Sequence, residues 1–221
     1  MRHFDFPVDH GHARSVNQTL ADMRRLQVSS GVVALALTVG AVVLFVVGDL
    51  WSTILGVVVA AAALTCIWLV LWVPRKVGSI EDLYANGPLV PAVVGTVHPR
   101  GVTLLSLIDV AKPGHGPTYA LVTRNIPVRP KQRPRVGDRV PSVGLLNDRT
   151  KRNRDDTWEM VSLMPVEWGT RDVAVHARAE AQIPDVEWQF LASRIDEAEQ
   201  IRTSRAQRQV LPIAELPDEL R

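Results

Sequence analysis

The sequence predicts an α+β protein in which a transmembrane α-hairpin precedes a small antiparallel β-barrel or sandwich and C-terminal helices. Two long apolar segments lie in the first third of the 221-residue chain. Short β-prone segments separated by Pro and Gly fill the middle, and amphipathic helical periodicity follows. Hydrophobic residues make up 47% and charged residues 22%, which excludes both a disordered chain and a transporter filling the whole sequence.

The apolar segments predict membrane-spanning helices over residues 28–48 and 53–73, which together form a hairpin. Neither contains Asp, Glu, Lys, Arg or His. About 20 helical residues cross the roughly 30 Å hydrocarbon core of a bilayer. Buried core helices are the alternative, but they usually carry a polar stripe. Without ionisable groups, the hairpin is expected to be an anchor or packing surface rather than a conduit.

Small residues at helical spacing predict where the two spans pack together. Ala36 with Gly40, and Gly56 with Ala60, would let the backbones approach closely. For residues 60–63, an alanine-rich helix that faces lipid is an equally supported alternative. Cys66, the single cysteine, is expected to pack as a small apolar residue. One cysteine excludes both a disulfide within the chain and a cysteine-based structural zinc site.

Basic residues beside the spans predict that both termini lie in the cytoplasm. Arg24 and Arg25 precede the first span, Arg75 and Lys76 follow the second, and the connecting loop has neither Lys nor Arg. Residues 1–27 form an N-terminal cytoplasmic segment with an amphipathic helix expected over 7–27, which either lies along the membrane surface or runs into the first span. His10 and His12 suggest a metal site only weakly. A flexible polar terminus is the preferred interpretation, and no metal or cofactor is predicted.

Residues 79–168 are predicted to form a cytoplasmic β domain in the size range of SH3-like or OB-like folds. Its strand-like segments are separated by Pro/Gly turns. They are Leu89–His98, Val102–Val110, Thr118–Ile126, Val140–Leu146 and Thr157–Leu163.

Residues 170–211 are predicted to be helical, and 212–221 a tail. The first helix spans 172–182. The second begins at Pro184, presents Trp188, Leu191, Ile195 and Ala198 on one face, and continues as a polar helix until Pro212.

Charge is divided unevenly along the chain. Residues 74–154 carry fourteen Lys/Arg and five Asp/Glu, whereas residues 155–221 carry seven and fourteen. Such halves either meet different partners or meet each other. The candidate site for lipid or partner contact consists of basic residues after the second span and in two loops: Arg75, Lys76, Arg124, Arg129, Lys131, Arg133, Arg135, Arg139, Arg149, Lys151, Arg152 and Arg154.

Anionic lipid is the expected partner of these basic residues, because each Lys or Arg near an anionic leaflet contributes about 1 kcal/mol. Plainly solvated loops are an equally supported alternative. Nucleic acid ranks well behind, because base stacking needs aromatic side chains and residues 73–157 contain no Phe or Trp, only Tyr84 and Tyr119.

No catalytic motif is present: the sequence has no P-loop, GxGxxG, HExxH or GxSxG. The histidines are scattered, and the paired acids such as Asp155-Asp156 are better interpreted as surface. The sequence therefore predicts a non-enzymatic protein.

Three segments carry a resemblance to a known family: Leu83–Ala92, Tyr119–Asn125 and Val136–Val143, with Trp158–Thr170 also similar. The chain resembles an uncharacterised actinobacterial two-span membrane protein family. This resemblance implies a bacterial inner-membrane protein and supplies neither an activity nor site residues.

The expected function is that of an accessory or scaffold protein that presents a cytoplasmic β domain at the inner membrane. Its partners would be other subunits of a membrane complex or further copies of itself. The alternative is a membrane-tethered sensor that binds a small ligand or nucleic acid, and an enzyme ranks last.

Overall fold

The computed structural model describes residues 2–16, 18–77, 79–99, 101–128, 133–148, 150 and 153–220. The chain divides into two compact units. One is His10–Ile80, and the other combines the first nine residues with everything after Ile80. We call them the helical unit and the β unit.

The helical unit contains α1 (His10–Val16), α2 (Gln18–Val47) and α3 (Leu50–Val77). Gly48 adopts a left-handed φ of 73° in the two-residue connection, and the Thr53 hydroxyl donates to the Asp49 carbonyl at the start of α3. Residues Val28–Val47 and Leu50–Trp68, with mean hydropathies of 2.6 and 2.2, are long and apolar enough to cross a membrane. The two predicted long apolar helices are therefore confirmed.

Helices α2 and α3 pack through a seam of small residues. Ala34 and Ala41 of α2 are buried, as are Gly56 and Ala63 of α3. With half-buried Leu37, Leu44, Val59 and Cys66 they alternate spacings of three and four, the heptad pattern of paired helices. A Cβ at Gly56 would lie 3.1 Å from the Phe45 ring. The predicted contact through Ala36 is wrong, because Ala36 is exposed.

After the two long helices the β unit continues with α4 (Ile80–Asn86), whose first residue belongs to the helical unit. Each of the five predicted segments contains a strand, and the first contains two. The six strands are β1 (Leu89–Val90), β2 (Ala92–His98), β3 (Gly101–Asp109), β4 (Tyr119–Ile126), β5 (Ser142–Asn147) and β6 (Met160–Pro165).

The strands form two antiparallel sheets, in the orders β1-β5-β6 and β2-β3-β4-β7, where β7 is Arg208–Val210. Pro91 separates β1 from β2, and two isolated bridges, Val93–Arg139 and Ala111–Thr157, form outside the ladders of the sheets. In the described part of the chain β6 and β7 form no ladder with each other, so the predicted barrel does not close.

The core of the β unit lies on strands β3, β4 and β6 and on the C-terminal helices. Its fully buried members include Leu104, Leu105, Ile108, Leu121, Leu163, Met164 and Leu191. Residues 102–108 of β3 are all buried, which explains why apolar and polar residues do not alternate along it.

The C-terminal helices agree with the sequence only in part. Helix α5 (Val173–Gln182) lies where a helix over 172–182 was predicted, and the Asp172 carboxylate accepts the Ala174 N–H as its N-cap. The predicted continuous second helix is wrong. It is divided into α6 (Asp185–Ser193), a 3-10 turn at Ile195–Glu197 and α7 (Ala198–Thr203).

The polar segment after α7 becomes strand β7 because the edge of β4 offers backbone partners. Ala120, Leu121 and Val122 pair with Val210, Gln209 and Arg208. Gln207 turns the chain with φ 49°. Pairing at a sheet edge here overrides helical propensity.

Candidate membrane and partner interface

Large apolar side chains cover the outward faces of α2 and α3. Leu35, Val46 and Trp51 are 67%, 80% and 75% exposed, and only 11% of each apolar segment is buried. Soluble monomers rarely expose contiguous apolar surfaces of this extent. The two helices therefore require an apolar environment around them.

Residues 2–9, which we call the N-terminal strap, pack within the β unit. The Leu89 N–H donates to the Arg2 carbonyl at 2.7 Å, and the Asp9 N–H donates to the Gly169 carbonyl at 2.8 Å. Phe4 is 3% exposed, with the Arg178 guanidinium 5.0 Å from its ring centre. The sequence assigned these residues to the N-terminal segment and gave no sign of this packing.

Two polar contacts reinforce the strap. The Arg2 guanidinium lies 2.5 Å from a Glu187 carboxylate oxygen, and the Glu187 side chain is only 7% exposed. Phe6 packs edge-on against Tyr84, with ring centres 5.0 Å apart. Burial raises the pKa of the Tyr84 phenol, which stays neutral and donates to the Pro165 carbonyl at 2.9 Å.

Arg124 belongs to the core rather than to a basic surface. It lies on β4, donates to the Leu163 carbonyl and stacks 5.2 Å from the centre of the Trp168 ring. Burial lowers the pKa of its guanidinium. The expectation that Arg124 is a loop residue is therefore wrong.

Arg139 connects the basic and acidic halves of the chain. Its guanidinium lies 3.3 Å from Glu180 and 3.7 Å from Asp185, and 5.2 Å from the centre of the Trp188 ring. At Arg139 the basic half of the chain therefore contacts the acidic half, which is one of the two arrangements that the uneven charge predicted.

Arg133 and Arg135 are exposed, and neither has an ion-pair partner among the described residues. They lead into a turn whose Asp138 N–H donates to the Arg135 carbonyl at 3.1 Å, with Gly137 at φ 89°. The Asp138 carboxylate accepts the Arg135 N–H at 2.7 Å. Val136 lies at the tip of this turn and is 55% exposed.

Arg154 is also exposed, but it lies in a different place. The first basic loop ends at Gly137, whose N–H donates to the Val94 carbonyl beside Leu104 of β3. The second loop ends at Trp158, whose N–H donates to the Val110 carbonyl just after β3. The first loop therefore adjoins the middle of β3, and the second loop adjoins its C-terminal end.

Several predicted contact residues have no described side chain. Arg75 and Lys76 belong to α3, and the structure describes only their backbone. Arg129, Lys131, Arg149, Lys151 and Arg152 lie outside the described residues altogether.

A cleft of about 360 Å³ lies between the strap and α4. Three aromatic rings and two carboxylates line it: Phe4, Asp5, Phe6, Pro7, Val8, Glu81, Tyr84 and Ala85. Among the described residues no group of three or more His, Cys, Asp or Glu could hold a metal ion. His10 and His12 lie on α1, where His12 is buried.

Comparison with known proteins gives a family but no activity. The family described as "Protein of unknown function (DUF3239)" matches residues 75–199, more than half of the chain, and the chain belongs to that family. The chain is similar to a solved structure described as "Crystal structure of a putative membrane protein from Corynebacterium diphtheriae". The two share 33% identity and a TM-score of 0.50 over 56% of this chain and 99% of that one. No curated protein matches the chain.

Proposed function

We propose that this member of the DUF3239 family is a non-enzymatic protein of the bacterial inner membrane. Its helical unit crosses the bilayer twice as an anchor. Its β unit lies at the cytoplasmic surface as an accessory or scaffold component of a larger membrane complex.

The observation that carries this proposal is the apolar outward surface of α2 and α3. Val46 at 80% exposure and Leu35 at 67% have no apolar environment within the chain, whereas a bilayer supplies one. The structural relative is itself described as a membrane protein, in the words given above.

The strap supports an even number of crossings. Residues 2–9 precede the hairpin and residues 81–220 follow it, yet both fold into the same unit. Segments that share one unit must lie on the same side of a membrane. Arg24, Arg25, Arg75 and Lys76 flank the helices on that side, which supports a cytoplasmic location.

The membrane anchor is tested by washing membranes with alkaline carbonate and by fusing topology reporters to the two ends of the chain. We expect the protein to stay with the membrane fraction and both reporters to signal from the cytoplasm. Release by carbonate, or reporters in opposite compartments, would contradict the proposed topology.

The accessory role is tested by purification in mild detergent followed by mass spectrometry. We expect stoichiometric companion subunits or further copies of this chain. A monomer without companions, purified from membranes that were never exposed to harsh detergent, would exclude the accessory role while leaving the anchor intact.

The cleft beside the strap favours a second candidate function, a membrane-tethered sensor of a small ligand. Its volume of about 360 Å³ is within the range of small-molecule sites. Chemical shift changes confined to Phe6, Tyr84 and their neighbours on screening small molecules would favour the sensor. Salt-sensitive binding of oligonucleotides would favour its nucleic-acid version.

A further inference from the structure

We propose that the exposed turn formed by Arg133, Arg135 and Val136, which we call the tip, docks on the anionic leaflet of the membrane. The proposal rests on the membrane anchor proposed above. It selects one of the two basic loops and adds an apolar side chain to the contact.

The tip combines the two chemistries that an anionic membrane surface recognises. Arg133 and Arg135 are exposed and have no ion-pair partner among the described residues, so their charge is available to lipid phosphates. Val136, between Arg135 and Gly137, is 55% exposed at the tip of its turn. An aliphatic side chain flanked by arginines can enter the boundary between headgroups and acyl chains while the guanidinium groups stay at the phosphates.

The turn holds Val136 outward by its own hydrogen bonds. The Asp138 N–H and carboxylate close the turn on Arg135, and the Gly137 N–H fixes it to Val94 of β2.

The other basic residues do not compete for this role. Arg124 is in the core, and Arg139 is neutralised by Glu180 and Asp185. The second loop is less positive, because Arg154 is followed by Asp155 and Asp156 and Asp148 lies in the same loop. An acidic protein could also bind the two arginines, but such binding would not account for the exposed Val136 between Arg135 and Gly137.

The test uses the full chain in vesicles, with Cys66→Ala as background and a fluorophore attached at Val136→Cys. A matched control carries the fluorophore at Arg154→Cys. Vesicles contain phosphatidylcholine with or without phosphatidylglycerol, together with a lipid that carries a nitroxide near the headgroup.

We expect the Val136 label to be quenched in vesicles with phosphatidylglycerol and not in phosphatidylcholine alone, and the Arg154 label to be quenched in neither. Replacing both arginines by Gln should lower the ratio of docked to undocked molecules about 30-fold, at about 1 kcal/mol for each charge. High salt should weaken docking in the same direction. The Arg133→Lys/Arg135→Lys variant keeps the charge and should still dock.

Three results would overturn the proposal: an unquenched Val136 label in anionic vesicles, equal quenching of both labels, or quenching that ignores the loss of both arginines. Flotation of the same vesicles after an alkaline wash tests the membrane anchor separately from the docking of the tip. A chain that no longer floats contradicts the anchor, whereas a chain that floats with an unquenched tip contradicts only the docking.

Discussion

Arginine side chains of the β unit occupy three different environments. Arg124 is half-buried in the core, where it donates a hydrogen bond to the Leu163 carbonyl and packs against the Trp168 ring. Arg139 forms ion pairs with the acidic helices. Arg133 and Arg135 remain exposed. Burial and the nearest carboxylate, rather than position within a basic stretch of sequence, decide which arginines can meet a partner.

Asp148 gives a prediction about the pH dependence of stability. The hydrogen bond from Lys112 lowers the pKa of this carboxyl, with further bonds from the Asn153 amide and the Glu159 N–H. The Lys112 Nζ lies 2.8 Å from the carboxylate. Because the pKa is lower in the folded state, the unfolded chain takes up the proton first as the pH falls, and protonation favours unfolding.

We therefore expect Asp148→Asn to lower the unfolding temperature at neutral pH and to lose its effect as the pH falls below about 4, the ordinary range for Asp. Unfolding temperatures of both proteins across this range check the prediction. Asp155→Asn, at an exposed carboxylate, is the control. A difference between the Asp148→Asn variant and the wild-type protein that stays constant with pH would contradict the assigned cause.

Pairs of elements in this protein approach closely wherever a small residue permits it. Ala34, Ala41, Gly56 and Ala63 do so between α2 and α3. Gly95 does so between β2 and α7, where a Cβ built on the glycine would lie 2.5 Å from the Ala198 Cβ. The helix lies on the sheet at this distance only because the strand has no side chain there.

Gly95→Ala should destabilise the β unit by about 1–3 kcal/mol, because α7 must move away from β2. Ala198→Gly removes the opposing methyl group, at a cost of about 1 kcal/mol for glycine in a helix. The double variant should be more stable than the sum of the two single changes predicts. Denaturant unfolding of the four proteins measures this coupling, and strict additivity would show that the contact is not the cause.

At the scale of the whole molecule, the strap makes the start of the chain a part of the β unit. Its backbone bonds to Leu89 and Gly169, its ion pair with Glu187 and its buried Phe4 act together. The β unit is therefore complete only when the segments before and after the two long helices have come together.

Phe4→Ala should lower the free energy of unfolding of the β unit by about 3 kcal/mol, the lower part of the range for a buried Phe. His3→Ala in the same strap is the control, because His3 is exposed. Thermal unfolding in mild detergent, followed by the near-UV signal of the tryptophans, compares the variants. A Phe4→Ala variant that is as stable as the wild-type protein would mean that the packing of Phe4 does not stabilise the unit.

The sequence by itself determined the elements whose signals are local. Long uncharged segments specified α2 and α3 because apolar length is a property of the chain alone. Apolar runs between Pro/Gly turns specified β2 to β6, and Asp172 marked the start of α5.

Only the tertiary structure decided features that depend on contacts between distant residues. It placed Phe4 in the β unit, formed β7 on the edge of β4 and left the sheets open. It also fixed the two basic loops at different places along β3, one beside Leu104 near the middle of the strand and one just after its C-terminal end. The physical reason is the same in each case: a buried side chain or a paired strand edge gains its stability from partners that the local sequence does not contain.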